Sequence, residues 1–148
     1  MTEILFYHLE QRPAEAVLPL LLEKTLERNW RAVVQVGDAA ELDGLDAALW
    51  SYRDDSFLPH GIGEGDHAAE HPIALVADQS NPNDAQLRFF AKGAVPTEAG
   101  NYERLVYMFD GHDPDAVTRA REAWKALKPD NQLTYWQQEQ NGKWVKKA

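Results

Sequence analysis

Cysteine is absent from the 148-residue chain, which excludes a disulfide framework, a thiolate metal site and a cysteine nucleophile, and suits a reducing cytoplasm. No apolar run approaches the roughly 20 residues a membrane-spanning helix needs. The opening MTEILFYHL carries an acidic residue where a secretory signal has basic ones, and its apolar run is only strand length. A cytoplasmic protein without a membrane partner is therefore expected. Internal repeats, low-complexity runs and long polar linkers are also missing, so residues 1–148 are expected to form one domain. That length suffices to bury roughly two thirds of the unfolded chain's surface.

Phosphate-binding signatures are lacking too. No GK[ST] occurs, and Gly61, Gly63 and Gly65 in GIGEG have neither the preceding strand nor the following helix start of a dinucleotide fingerprint. The stretch reads as loop. His67 and His71 in DHAAEH would share a face only on a helix, and Pro72 with the nearby glycines argues for an acidic loop rather than a metal site. There is no nucleophile elbow. No catalytic residue, cofactor or metal is assigned.

Cations are in short supply: the net charge is −9, which argues against strong direct binding of nucleic acid. The charge is unevenly spread. Residues 37–70 hold nine acidic side chains against one basic, whereas residues 119–148 hold seven basic against three acidic. One region suits a basic partner and the other an acidic one.

What the chain does contain is alternation of strands and helices. Strands are read at 3–8 (EILFYH), 32–36, 73–77, 86–91 and 104–109, with a final one at 133–138. A helix opened by Pro13 carries Val17, Leu18 and Leu20 to Leu22, with Pro19 expected to kink it or delay its start. A second helix spans 38–50, and a third is capped by Asp113 with Pro114 in its first position and ends near Lys128. The pattern predicts an α/β fold: a single three-layer domain with a largely parallel central sheet flanked by helices, Rossmann-like without a nucleotide site.

Two segments present side chains in unusual settings. In LDGLDAALWSYRDDSFLPHG, residues 42–61, an amphipathic helix ends near Trp50 and is followed by Phe57, Leu58, Pro59 and His60 in what GIGEG marks as loop. Such an apolar cluster either anchors a partner or folds back onto its own domain. In the helix from Asp113, the residues Ala116, Ala120, Ala123 and Leu127 share a face, with Val117 and Trp124 at its edge. Just beyond that edge, Lys128, Arg121 and Lys125 spread over roughly 60°. A cationic stripe beside an apolar rim fits a peptide ending in a large apolar side chain and a free carboxylate, although an ordinary amphipathic helix gives the same pattern.

The ordered set of FYHL, the acidic helix ending in ALW, F-L-P-H seven residues later, and ERLVYMFD before a basic helix resembles the chi subunit of bacterial DNA polymerase III holoenzyme. The resemblance covers essentially the whole chain. It implies a non-catalytic accessory subunit that bridges the psi subunit of the clamp loader to single-stranded DNA-binding protein during replication. Trp50, Phe57, Leu58, Pro59 and His60 match the surface for psi, which family members also use for a repair helicase. Arg121, Trp124 and Lys125 match the site for the acidic C-terminal tail of single-stranded DNA-binding protein, with Val117 and Lys128 beside them. Two departures stand out: Trp124 replaces a Tyr, and Val117 stands where a further Lys can occur. The C-terminal stretch, with Lys143, Lys146 and Lys147, is longer and more basic than the family's usual end. The rival class is a small-molecule-binding α/β enzyme using the carboxyl ends of its strands.

Overall fold

The computed structural model describes residues 2–51, 59–63, 68–97, 100–141 and 143–148. The strands are β1 (Glu3–Leu9), β2 (Ala32–Val36), β3 (His60–Ile62), β4 (Ile73–Val76), β5 (Leu87–Ala91), β6 (Arg104–Asp110), β7 (Gln132–Gln138) and β8 (Trp144–Lys146). The helices are α1 (Ala14–Glu27), α2 (Leu42–Ser51) and α3 (Pro114–Leu127). The strands form one sheet in the order β3-β4-β2-β5-β6-β1-β7-β8. All its pairings are parallel except β7 with β8.

Buried apolar runs explain the centre of this sheet. IALV of β4 and LRFFA of β5 are buried throughout, as expected of parallel strands covered on both faces. The chain leaves β1 toward β2 in one direction along the sheet and leaves β6 toward β7 in the other. Right-handed crossovers then place α1 and α3 on opposite faces. One core accordingly joins Val17, Leu18 and Leu22 of α1 with Leu45 and Leu49 of α2 over Val34, Phe89 and Met108. The other joins Ala116, Ala120, Ala123 and Leu127 of α3 with Phe6, Leu105 and Tyr107.

Several expectations change. α1 runs through Pro19, whose ring is buried; the sixth helical residue forgoes only the bond its N–H would make to Glu15, and packing compensates. The helix expected from 38 divides into a single 3-10 turn, Ala39–Glu41, capped by Asp38, and then α2. The GIGEG loop reading fails at its start, because His60, Gly61 and Ile62 pair with Ile73, Ala74 and Leu75 as an edge strand. At Gly61 the backbone comes close to the His71 ring, which a Cβ would displace. The terminal strand β8 was not anticipated either.

Among the described residues, no helix covers the face of β2 and β4 opposite α2. The segments between β4 and β5 and between β5 and β6 do so, bringing Ala85 and Tyr102 against Val33, Ala74 and Val76. Arg88, 3% exposed, clamps them. Its guanidinium donates to Gln35 Oε1 at 3.0 and 2.6 Å, to the carbonyls of Ser80 (2.8 Å) and Asp78 (2.6 Å), and to the Tyr102 hydroxyl (3.0 Å). Every donor of the buried cation is thereby used.

Candidate functional sites

The site on α3 begins with its cap. The Asp113 carboxylate accepts from the Asp115 N–H at 3.0 Å, and Pro114 holds the first turn in helical geometry. Burial of the alanine face then fixes which residues look outward. Arg121, Lys125 and Lys128 are exposed, while Val117 and Trp124 are half-buried against the core. The expected cationic stripe and apolar rim are therefore both present.

The rim has a rigid floor. The Trp124 ring meets Phe6 edge-on, with centroids 5.2 Å apart, and Tyr135 at 6.1 Å. Phe6 is fully buried, so the indole cannot sink further without displacing it. Tyr135 is held in turn by a 2.6 Å hydrogen bond between its hydroxyl and His8 Nδ1. Burial raises the Tyr135 pKa, opposed by the nearby Arg121 cation and assisted by Glu10. Arg121 is thus electrostatically within reach of the ring. Tyr135 and Leu133, on β7, complete the wall beside α3; strand alternation in LTYWQQ was the signal that paired them, but it could not show which helix they face.

The second set of candidate residues lies on the opposite face of the sheet. Trp50, at the end of α2, is 51% exposed, as its sequence setting suggested. His60 is different: its side chain is fully buried, with Nε2 3.1 Å from the Asp46 carboxylate and 3.3 Å from the Asp46 carbonyl. Its ring packs against the indole of Trp50 with centroids 4.5 Å apart. Pro59 is half-buried beside it. Phe57 and Leu58 lie outside the described residues, as does His67 of the DHAAEH pair. Among the described residues, no group of three or more His, Asp and Glu side chains gathers as a metal site.

A cleft of about 490 Å³ opens where the rival reading places a ligand, at the carboxyl ends of β1 and β6 and between the first turns of α1 and α3. This is the point at which the strand order reverses. Its polar groups engage one another. Lys92 pairs with Glu15 and lies 3.9 Å from Glu41, and His112 Nε2 bonds the Glu10 carbonyl at 2.7 Å. Burial works to raise the Glu15 pKa, but its hydrogen bond to Lys92, a backbone hydrogen bond and the Lys92 charge together hold it below the usual carboxylate value. Asp113 is committed to capping α3. No glycine-rich phosphate loop precedes either helix.

Residues 1–133 match the family model described as DNA polymerase III chi subunit, HolC. A Pseudomonas aeruginosa protein named "DNA polymerase III subunit chi" is 31% identical over 109 residues, covering 71% of this chain and 75% of that protein. A Rickettsia prowazekii protein named "Probable DNA polymerase III subunit chi" is 28% identical over 87 residues, covering 59% of this chain and 53% of its own length.

Proposed function

The chain belongs to the DNA polymerase III chi subunit family, and from that premise we propose that it is a non-catalytic adaptor of the replicase with two separate docking surfaces. One, on α3, takes the acidic C-terminal tail of single-stranded DNA-binding protein. The other, around Trp50, takes psi and so the clamp loader, or in its place a repair helicase.

The observation that carries the reading is the pairing of exposed Arg121 and Lys125, one helical turn apart, with the half-buried Trp124 braced on Phe6. A peptide ending in Phe presents a large apolar ring and two carboxylate oxygens together. The ring fits against Trp124 and Val117, and the planar Arg121 guanidinium can hold the terminal carboxylate through two charge-assisted bonds. Lys125 and Lys128 add attraction for the acidic residues preceding the terminus. Val117, where a Lys can stand, contributes apolar area in place of charge.

At the other surface the exposed indole of Trp50 supplies an aromatic anchor. Buried His60 acts through it, bracing the ring rather than touching the partner. Because α2 and α3 lie on opposite faces of the sheet, both partners can be held at once.

Polymerisation, in this reading, belongs to another subunit. The purified chain is expected to show no polymerase, nuclease or nucleotidase turnover. The deciding experiment is calorimetry with an acidic peptide ending in Phe: binding should occur with a free terminal carboxylate and fall sharply when that carboxylate is amidated. Equal binding of both forms would refute the site.

A further inference from the structure

Among the described residues, the three helices leave part of the sheet uncovered. α1 and α2 pack over β2, β4, β5 and β6, and α3 packs over the opposite face. On the α1 side, Leu9 is buried in the core under α1 and α2, and Tyr7 and Trp144 pack against it, whereas Trp136 of β7 and Lys146 of β8 belong to neither helix-covered core. Strand register brings Tyr7, Trp136 and Lys146 into one row across these three strands. Tyr7 and Trp136 are half-buried and Lys146 is exposed. Trp144 packs edge-on against Tyr7 at 4.9 Å, and the Trp136 indole N–H donates to Thr134 at 3.2 Å, so the aromatic groups are held in place.

Charge on this face departs from that of the molecule. A cleft of about 140 Å³ runs beside Tyr7 and is lined by Lys24, Arg28 and Arg104, with no carboxylate among its lining residues. Arg28 and Arg104 lie over the Trp30 ring at 5.4 and 5.7 Å. Glu3 opposes them, pairing with Arg104 at 3.4 Å, but both members of that pair are partly exposed and the pair is weak in water. In a chain of net charge −9, a sheet face with aromatic groups inside a cationic border selects for an anion that also presents flat apolar rings.

We propose that this face binds single-stranded DNA, with a base stacked on Trp136 and phosphates held by Lys146 and by the Lys24, Arg28 and Arg104 cations beside Tyr7. Stacking on sheet-borne aromatic rings tolerates any base sequence, and the cations track the backbone. The net negative charge of the whole chain keeps the interaction weak and local, suited to contact with template already nearby. This surface lies on the sheet face opposite α3 and, on β7 and β8, at the opposite edge of the sheet from β3, so it is separate from the docking sites on α2 and α3.

The test is anisotropy of a labelled oligothymidylate about fifteen nucleotides long, titrated with the full chain at low salt. Trp136→Ala should weaken binding at least about fivefold, the scale of losing one stacked base. Lys146→Ser, at an exposed position, should weaken it and flatten the salt dependence. If about three phosphates are engaged, raising salt from about 50 to about 200 mM should cost roughly eighteenfold in affinity. Arg121→Ala should leave oligonucleotide binding intact while sharply weakening that of the acidic peptide, so the two readings fail separately. Absence of binding at low salt would overturn the proposal. So would undiminished binding by both Trp136→Ala and Lys146→Ser, or displacement of the oligonucleotide by the acidic peptide.

Discussion

The fully buried imidazole of His60 packs against the half-exposed indole of Trp50, their centroids 4.5 Å apart, while its Nε2 is tied to Asp46 one helical turn earlier on α2. An edge strand thus fixes the orientation of an exposed aromatic residue at a helix end. Trp50→Ala should weaken psi binding by more than about 2 kcal/mol with the fold retained, the scale of an aromatic anchor lost from its pocket. Phe57→Ala should have an effect of the same order. His60→Ala should weaken psi binding and lower stability, since it removes both the support and a buried hydrogen bond. Normal psi binding by folded Trp50→Ala and Phe57→Ala in calorimetry would remove this surface from the mechanism.

Arg121 should dominate recognition of the acidic tail. Arg121→Ala is expected to cost about 2 kcal/mol or more and Lys125→Ala about half of that, because a point charge attracts without providing a planar fork. Both losses should shrink as salt is raised. Psi binding should be unchanged, since Arg121 lies on the opposite side of the sheet from Trp50. Equal loss of psi and tail would indicate one shared site or an unfolded variant, and full tail binding by Arg121→Ala would exclude Arg121.

Arg88 should govern stability rather than binding. Arg88→Met would leave Gln35, Tyr102 and two loop carbonyls without the donor that satisfies them, and a loss of more than about 3 kcal/mol is expected. Denaturant unfolding measures it directly. A loss under about 1 kcal/mol would show that water replaces the guanidinium freely.

Alkaline pH should destabilise the fold. Burial raises the pKa of Tyr7, Tyr135 and Tyr107, the last to about 12, with Arg104, Arg121 and Arg119 respectively opposing the shift. Each group has a folded pKa above its ordinary value of 10.0. Their contribution is therefore complete below pH 10 and is lost as pH rises through the folded values. Tyrosinate absorbance should show these rings ionising late, together with unfolding. Independent titration of Tyr7, Tyr107 and Tyr135 near their ordinary value would contradict the packing described for them.

The sequence by itself determined the elements whose causes are local. Apolar runs, broken only by Gln35 and Arg88, specify the buried parallel strands β2, β4 and β5. The Asp113 and Pro114 pair sets where α3 starts, and its 3.6-residue period separates the alanine face from Arg121 and Lys125. Only the tertiary structure decided the rest. Three-residue strands such as β3 and β8 owe their existence to hydrogen bonds supplied by β4 and β7, and nothing in HGI or WVK alone requires extension. Burial of His60 depends on the path that brings β3 beside α2. The meeting of Trp124 with Phe6 and Tyr135 joins residues far apart in the chain. Sequence periodicity states which residues share a face, but which faces meet, and which remain uncovered, depends on crossover direction and strand order.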